Sequence, residues 1–210
     1  MIVAIDGPAG AGKSAVGRRV AQALGLPFVD SDLMYRALAL LARERGIELT
    51  DVAALVGLAA TARLSVNGRG LAVDGEDYTE RAASPELSGP AALVAGVAGV
   101  RLALLEQRRA LGREGVVMSG LDVGTVVFPD TPHKFFLAPG GEERNRRPAG
   151  PVQVADPEQL RRQVAERDRL DSHRSLAPVR PAADAVLIDT GRLELDGAVA
   201  EILRHLRQSG

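Results

Sequence analysis

The feature that most restricts this chain is a glycine-rich octet near its start, Gly7-Pro8-Ala9-Gly10-Ala11-Gly12-Lys13-Ser14, which matches G-x-x-x-x-G-K-[ST] in full. Before it, Ile2-Val3-Ala4-Ile5 is a short apolar run with β-branched residues, read as a buried strand. After it, Val16, Val20 and Leu24 recur every four residues, the spacing of one helix face, until Gly25 and Pro27 stop it. A strand entering a helix through such a turn lets backbone N–H groups curl around an anion. The positive end of the helix then points at the same charge. In this arrangement Lys13 reaches the β- and γ-phosphates of a nucleotide, and the Ser14 hydroxyl ligates Mg²⁺. The plainer explanation is a glycine turn that binds nothing. Over this chain's length and composition, roughly 0.002 chance matches to the pattern are expected. The octet is therefore read as a phosphate cradle, with all eight residues as candidate ATP contacts.

Further along, Pro27 to Asp30 predicts a second strand and Leu33 to Arg45 a second helix. Thr50 is placed to cap a third helix from Asp51 to about Ala62. Leu64-Ser65-Val66 and Leu71-Ala72-Val73 flank Asn67-Gly68-Arg69-Gly70, a hairpin signature, and Gly75 to Tyr78 suggests a further short strand or turn. Ser84-Pro85 has the form of a cap followed by a first-turn proline. It opens a mainly helical region to about Arg113, with a break expected at Gly89-Pro90. Val116 to Met118, Lys134 to Leu137 and Ala185 to Ile188 are three more strands. Asp156-Pro157 opens a charged helix to about His173, and an amphipathic helix runs from Asp196 to Arg207. Strands alternating with helices imply an α/β fold whose parallel sheet is covered on both faces. Between Ala138 and Pro157 lies a proline- and glycine-rich stretch carrying Arg144, Arg146 and Arg147, long enough for a functional loop.

Composition removes several classes of function. A formal net charge of −1 and six aromatics without Trp argue against a nucleic-acid polymer as partner. The apolar runs fall short of the ~18–20 residues that cross a bilayer, and Met1 to Ile5 lacks the flanks of a secretion signal. Zero cysteines fit a reducing cytosol, and His133, His173 and His205 are too scattered for a zinc site. A single soluble cytoplasmic domain over residues 1–210 is the expectation. Arg supplies 24 of the 26 basic residues, a bias of codon usage for the most part, but it makes the placement of Lys13 and Lys134 more telling. No Asn-Lys-x-Asp pattern is present to read guanine. The chain length, the hairpin and the arginine-bearing loop suit a small-molecule kinase, which needs a donor cradle, an acceptor pocket and arginines for the transferring charge.

Several further motifs then fall in order. Asp6-Gly7-Pro8 leads into the loop, and Asp30-Ser31 is followed by Met34-Tyr35-Arg36-Ala37. Gly120-x-Asp122-x-Gly124-Thr125-Val126-Val127-Phe128-Pro129-Asp130 precedes Lys134-Phe135-Phe136-Leu137. Arg167-Asp168-x-x-Asp171-x-x-Arg174, Ala177-Pro178 and Ala183-Asp184-Ala185 through Asp189-Thr190 close the series. Over nearly its full length the chain resembles the cytidylate kinase family, in the nucleoside monophosphate kinase group. The resemblance implies a P-loop kinase fold with a five-stranded parallel sheet ordered 2-3-1-4-5, an acceptor-binding insertion over 32–90 and a lid over 138–157. It implies a monomer that moves the γ-phosphoryl group of ATP onto CMP or dCMP with Mg²⁺.

By the same resemblance Ser31, Tyr35, Arg101, Asp122, Arg167, Asp171 and Arg174 are acceptor-pocket positions. Lys13, Asp122 and the lid residues Arg144 and Arg147 are catalytic candidates, and Ser14 is the metal ligand. Their chemistry agrees with these roles. Arginines fork onto phosphate or ribose, and a cytosine edge suits hydroxyl and carboxylate partners. Arg167, Asp171 and Arg174 at i, i+4 and i+7 share one helix face, which by spacing alone equally describes a solvated salt-bridged surface. The family's pattern is broken on the acceptor side. Leu121 stands where Gly-Arg-Asp has its arginine, Asp32 where Asp-Ser-Gly has its glycine, and Ala92 where the pocket has a serine; the lid element is contracted to Arg144-Asn145-Arg146-Arg147. A kinase for another small acceptor, and a non-catalytic nucleotide-binding protein, are the two rival readings.

Overall fold

The computed structural model describes residues 1–67, 70–138 and 179–208. In chain order its elements are β1 (Ile2–Asp6), α1 (Lys13–Leu24), β2 (Phe28–Asp30), α2 (Ser31–Glu44), α3 (Val52–Thr61), β3 (Leu64–Asn67), β4 (Gly70–Val73) and β5 (Glu76–Asp77). There follow α4 (Thr79–Ala82), a 3₁₀ turn (Pro85–Leu87), α5 (Ser88–Gly96), α6 (Ala98–Ala110), β6 (Val116–Gly120), a π-helical turn (Val123–Val127), β7 (His133–Ala138), β8 (Val186–Asp189) and a C-terminal helix (Leu195–Gln208).

The main sheet is five-stranded, in the order β2-β6-β1-β7-β8, with every pairing parallel. Counting its own strands along the chain, that order is 2-3-1-4-5. β1 is central: Ile2 lies opposite Val116 and Asp6 opposite Gly120 on one side, and Ile5 opposite Phe135 on the other. Strand alternation divides the core in two. Val3, Ile5 and Val117 face α1 and the C-terminal helix, where Val16, Val20, Ile202 and Leu206 meet them. Ala4, Val116 and Met118 face the opposite way, toward Met34 and Leu38 of α2 and Val100 and Leu104 of α6. Both faces are buried, which is why these strands read as continuous apolar runs. β3, β4 and β5 form a separate antiparallel sheet, with Leu64 opposite Val73 and Ala72 opposite Asp77.

Four local expectations change. The third helix is capped by Asp51, not Thr50, because the Asp51 carboxylate accepts from the Ala54 N–H at 3.0 Å. The second helix starts at Ser31, since Asp30 accepts from the Asp32 N–H and caps it directly after β2. Ser84 makes no side-chain cap. The helical region breaks at Val97, in extended backbone, where α5 and α6 meet at 97°, and not at Gly89-Pro90. Pro90 sits in the first turn of α5, where a missing N–H leaves no hydrogen bond unmade. Among the described residues no single helix is long and apolar enough to cross a membrane. The charged helix expected from Asp156, and the loop beyond Ala138, lie outside the described residues.

Candidate active site

The glycine octet follows β1 where the central strand leaves the sheet. Gly7 has φ +154°, and a Cβ there would lie 2.6 Å from the Leu137 carbonyl oxygen of the neighbouring strand. Gly12 has φ +83° and turns the chain into α1, so the helix axis points back at the loop. Lys13 Nζ donates to the Pro8 carbonyl at 2.9 Å, spanning the turn. Ser14 Oγ donates to Asp30 Oδ2 at 2.5 Å, which joins the start of α1 to the end of β2. Burial, and next the neighbouring charge of Asp32, push the Asp30 carboxyl above its ordinary 3.8.

Among the described residues no cluster of three acidic, histidine or cysteine side chains stands ready for a metal ion. The Ser14 hydroxyl with Asp30 beside it nevertheless suits Mg²⁺, which takes few protein ligands and fills its octahedron with water and phosphate oxygens.

A cavity of about 540 Å³ opens from this loop toward α2 and α6. Its lining joins Ala9, Gly10, Gly12, Lys13 and Ser14 to four predicted acceptor residues, Ser31, Tyr35, Arg101 and Asp122. Ser31 and Tyr35 are four residues apart on α2 and therefore share a face. Gly7, Pro8 and Ala11 shape the loop without lining this cavity. Arg144, Arg147, Arg167, Asp171 and Arg174 fall outside the described residues. Of the three acceptor-side departures, Leu121 and Asp32 line the cavity, whereas Ala92 is buried within α5.

Asp122 is the centre of the wall opposite the loop. It is 2% exposed, and its Oδ2 accepts from Arg101 while its Oδ1 accepts from Arg108 Nη2 at 2.5 Å. Arg108 also donates to the Tyr35 hydroxyl at 3.3 Å, and both guanidinium groups face the Tyr35 ring, 5.8 and 5.9 Å from its centre. The backbone around Asp122 is held from two sides. The Asp6 carboxylate accepts from the N–H groups of Val123 and Gly124 at 2.8 and 2.7 Å, and Arg109 donates to the carbonyls of Val126 and Val127. Burial outweighs those two hydrogen bonds at Asp6, and its carboxyl rises from 3.8 to about 6, with the Asp122 charge adding to the rise.

Sequence reasoning passed over Arg36, Arg108, Asp30 and Asp6 as site residues. Arg36 lines the cavity, paired to Asp32 at 2.9 Å and to the Ser84 carbonyl at 3.1 Å. The signal for Arg108 was its place seven residues after Arg101, two helical turns along one face. On the other side of the loop, Gly10, Gly12 and Ala15 also border a second cavity of about 280 Å³, completed by Thr190, Leu193, Leu195 and Ala198.

Comparison with known proteins places the whole chain in one family. The family model described as cytidylate kinase matches residues 3–208. The cytidylate kinase of Desulforamulus reducens is 43% identical over 209 residues, covering 96% of this chain and 94% of that protein. That of Pseudomonas aeruginosa strain LESB58 is 40% identical over 220 residues, covering 100% and 96%. A bifunctional pantoate ligase/cytidylate kinase of Synechococcus is 43% identical across 99% of this chain, which spans 41% of that longer protein. An uncharacterized protein of Eubacterium ventriosum shares the fold, with a TM-score of 0.56 at 14% identity, covering 99% of this chain and 98% of that one.

Proposed function

The chain belongs to the cytidylate kinase family, and on that premise we propose how its residues divide the work of moving the γ-phosphoryl group of ATP onto CMP or dCMP. The observation that carries the reading is the single cavity lined both by Lys13 and Ser14 and by Tyr35, Arg101 and Asp122. A donor cradle and an acceptor wall across one space give the proximity that phosphoryl transfer requires.

In the reaction an oxygen of the CMP phosphate attacks the γ-phosphorus as the bond to the β-phosphate oxygen of ATP breaks, leaving CDP and ADP. The loop N–H groups and Lys13 hold the β- and γ-phosphates and oppose the charge that gathers there. Mg²⁺, when bound, neutralises phosphate charge; Ser14 would hold it, with Asp30 orienting the hydroxyl. The second cavity, next to the loop and mainly apolar, accepts the adenine; Thr190 Oγ1, buried there without a partner among the described residues, offers it a hydrogen bond. Ser31, Tyr35, Arg101 and Asp122 bind the cytidine nucleotide, helped by Arg167, Asp171 and Arg174. Arg144 and Arg147 close over the phosphates as part of a lid over 138–157, and residues 32–90 bring the acceptor in. By the family resemblance the chain works as a monomer on free nucleotides, and the lack of cysteine fits a reducing cytosol.

The test is a discontinuous assay with purified protein, ATP, Mg²⁺ and CMP, separating all four nucleotides. Equal amounts of ADP and CDP are expected. ADP without CDP, dCDP or UDP from any of the three pyrimidine monophosphates would contradict the reading.

A further inference from the structure

We infer that Arg108, which does not line the cavity, is a positioning residue for the acceptor: it holds the Asp122 carboxylate and the Tyr35 hydroxyl in place, and through Asp122 the guanidinium of Arg101 that faces the nucleotide. Arg108 is 1% exposed and is the largest fully buried side chain among the described residues. Burying a guanidinium is unfavourable unless its hydrogen bonds are made. The neighbouring inner positions of α6, Val100 and Leu104, are apolar, so another aliphatic residue would suffice for the core. Arg108 has no hydrogen-bond partner for its Nε among the described residues. What it does reach are two side chains of the acceptor wall, Asp122 and Tyr35.

The geometry gives the reason. Arg101 is the cavity-lining arginine, and it is held on the second oxygen of the same carboxylate. Its Nη1 also donates to the Ala95 carbonyl at 3.4 Å, and with five N–H donors a guanidinium can reach a nucleotide while it stays on Asp122. The position of Arg101 is then set by where the Asp122 carboxylate sits, a buried group beside the charge of Asp6. Arg108 fixes that carboxylate from its other oxygen, and losing it lets Asp122 and Arg101 shift together. Leu121, just before Asp122, lines the cavity and brings no charge, so the cation beside Asp122 comes from α6 instead.

The inference rests on the cytidylate kinase reading for the identity of the acceptor, and the experiment separates the two. Kinetic constants for CMP and ATP, and the Kd of CMP by calorimetry, are measured for the wild type, Arg108→Gln and Arg108→Lys. Arg108→Gln should raise the KM and Kd of CMP by about 10- to 100-fold and leave the KM of ATP within about twofold. Arg108→Lys, which keeps the charge but has no fork to reach both partners, should fall between. A merely structural arginine would lower the folded fraction and thus kcat, with both KM values unchanged, and that result overturns the inference. So does loss of fold in both variants. If wild type binds CMP but transfers nothing, the kinase reading fails while the Kd series still decides the role of Arg108. Failure of wild type to bind CMP sinks both.

Discussion

One half of the cavity comes from one short run of chain, Ala9 to Ala15, whereas the other half takes Ser31 and Tyr35 from α2, Arg101 from α6 and Asp122 from just past β6. The loop half works through backbone: glycine conformations, a helix end and one lysine folded across the turn. The wall half works through buried charge, with Asp122 gripped by two arginines and its following turn held by Asp6. A backbone cradle can lose its side-chain cation and still fold. A desolvated ion network cannot lose a member without strain on the whole fold. Donor-side changes should therefore alter ATP binding and chemistry but leave the fold and the acceptor intact, and acceptor-side changes should alter stability and acceptor binding together.

The sharpest form of this contrast is Lys13→Ala. Turnover should fall by at least about 10³-fold, because the lysine is the side-chain cation of the cradle. The melting temperature and CMP affinity should hold, as read by thermal unfolding and calorimetry. Retention of more than a few per cent of turnover would break the donor half of the account.

Asp122→Ala is the counterpart on the wall. It leaves Arg101 and Arg108 without their shared carboxylate, and a loss of about 3–5 kcal/mol is expected in urea unfolding. A loss under about 1 kcal/mol would mean that water already satisfies the arginines, and the distinction between the halves would collapse.

Asp6 sharpens the comparison through pH. Its carboxyl is pushed up from 3.8 to about 6, so between those values the folded state binds more protons than the unfolded chain. Its contribution to stability is fully present below about pH 3.8 and is lost as pH rises through 6, by roughly 3 kcal/mol for a shift of this size. Carbon-detected NMR of the Asp6 carboxyl should show a midpoint near 6, and Asp6→Asn should lack the wild type's extra fall in stability between pH 4 and 6. A midpoint near 3.8 would contradict the burial argument.

The smallest effect is expected at Asp51, whose cap serves α3 at a distance from the cavity lining. Asp51→Ala should cost about 1 kcal/mol in denaturant unfolding. Both substrate constants should stay unchanged, and a shift in either would show that the acceptor-side helices transmit strain into the wall.

The same contrast explains what could be read in advance. The loop was legible because its chemistry is contiguous: eight adjacent residues, with a strand before and a helix after, state their own purpose. The main strands and most helices were legible from apolar period. Ser31, Tyr35, Arg101 and Asp122 came from resemblance, and nothing in their separate spacings announced that they would meet. Arg108 was missed because an arginine on a helix reads as solvated, and only packing against Asp122 and Tyr35 makes it otherwise. The π-helical turn was invisible for a similar reason: its N–H groups are satisfied by Asp6, which lies more than a hundred residues earlier. Pro90 misled because a proline marks a helix break except in the first turn, where it stands.

The most direct measurement of the two-half account is calorimetric titration of CMP and of ATP, each alone, into wild type, Lys13→Ala and Asp122→Asn. A crossed pattern is predicted: Lys13→Ala weakens ATP and spares CMP, and Asp122→Asn weakens CMP and spares ATP. Equal losses of both ligands in either variant, or CMP binding indifferent to Asp122, would contradict it.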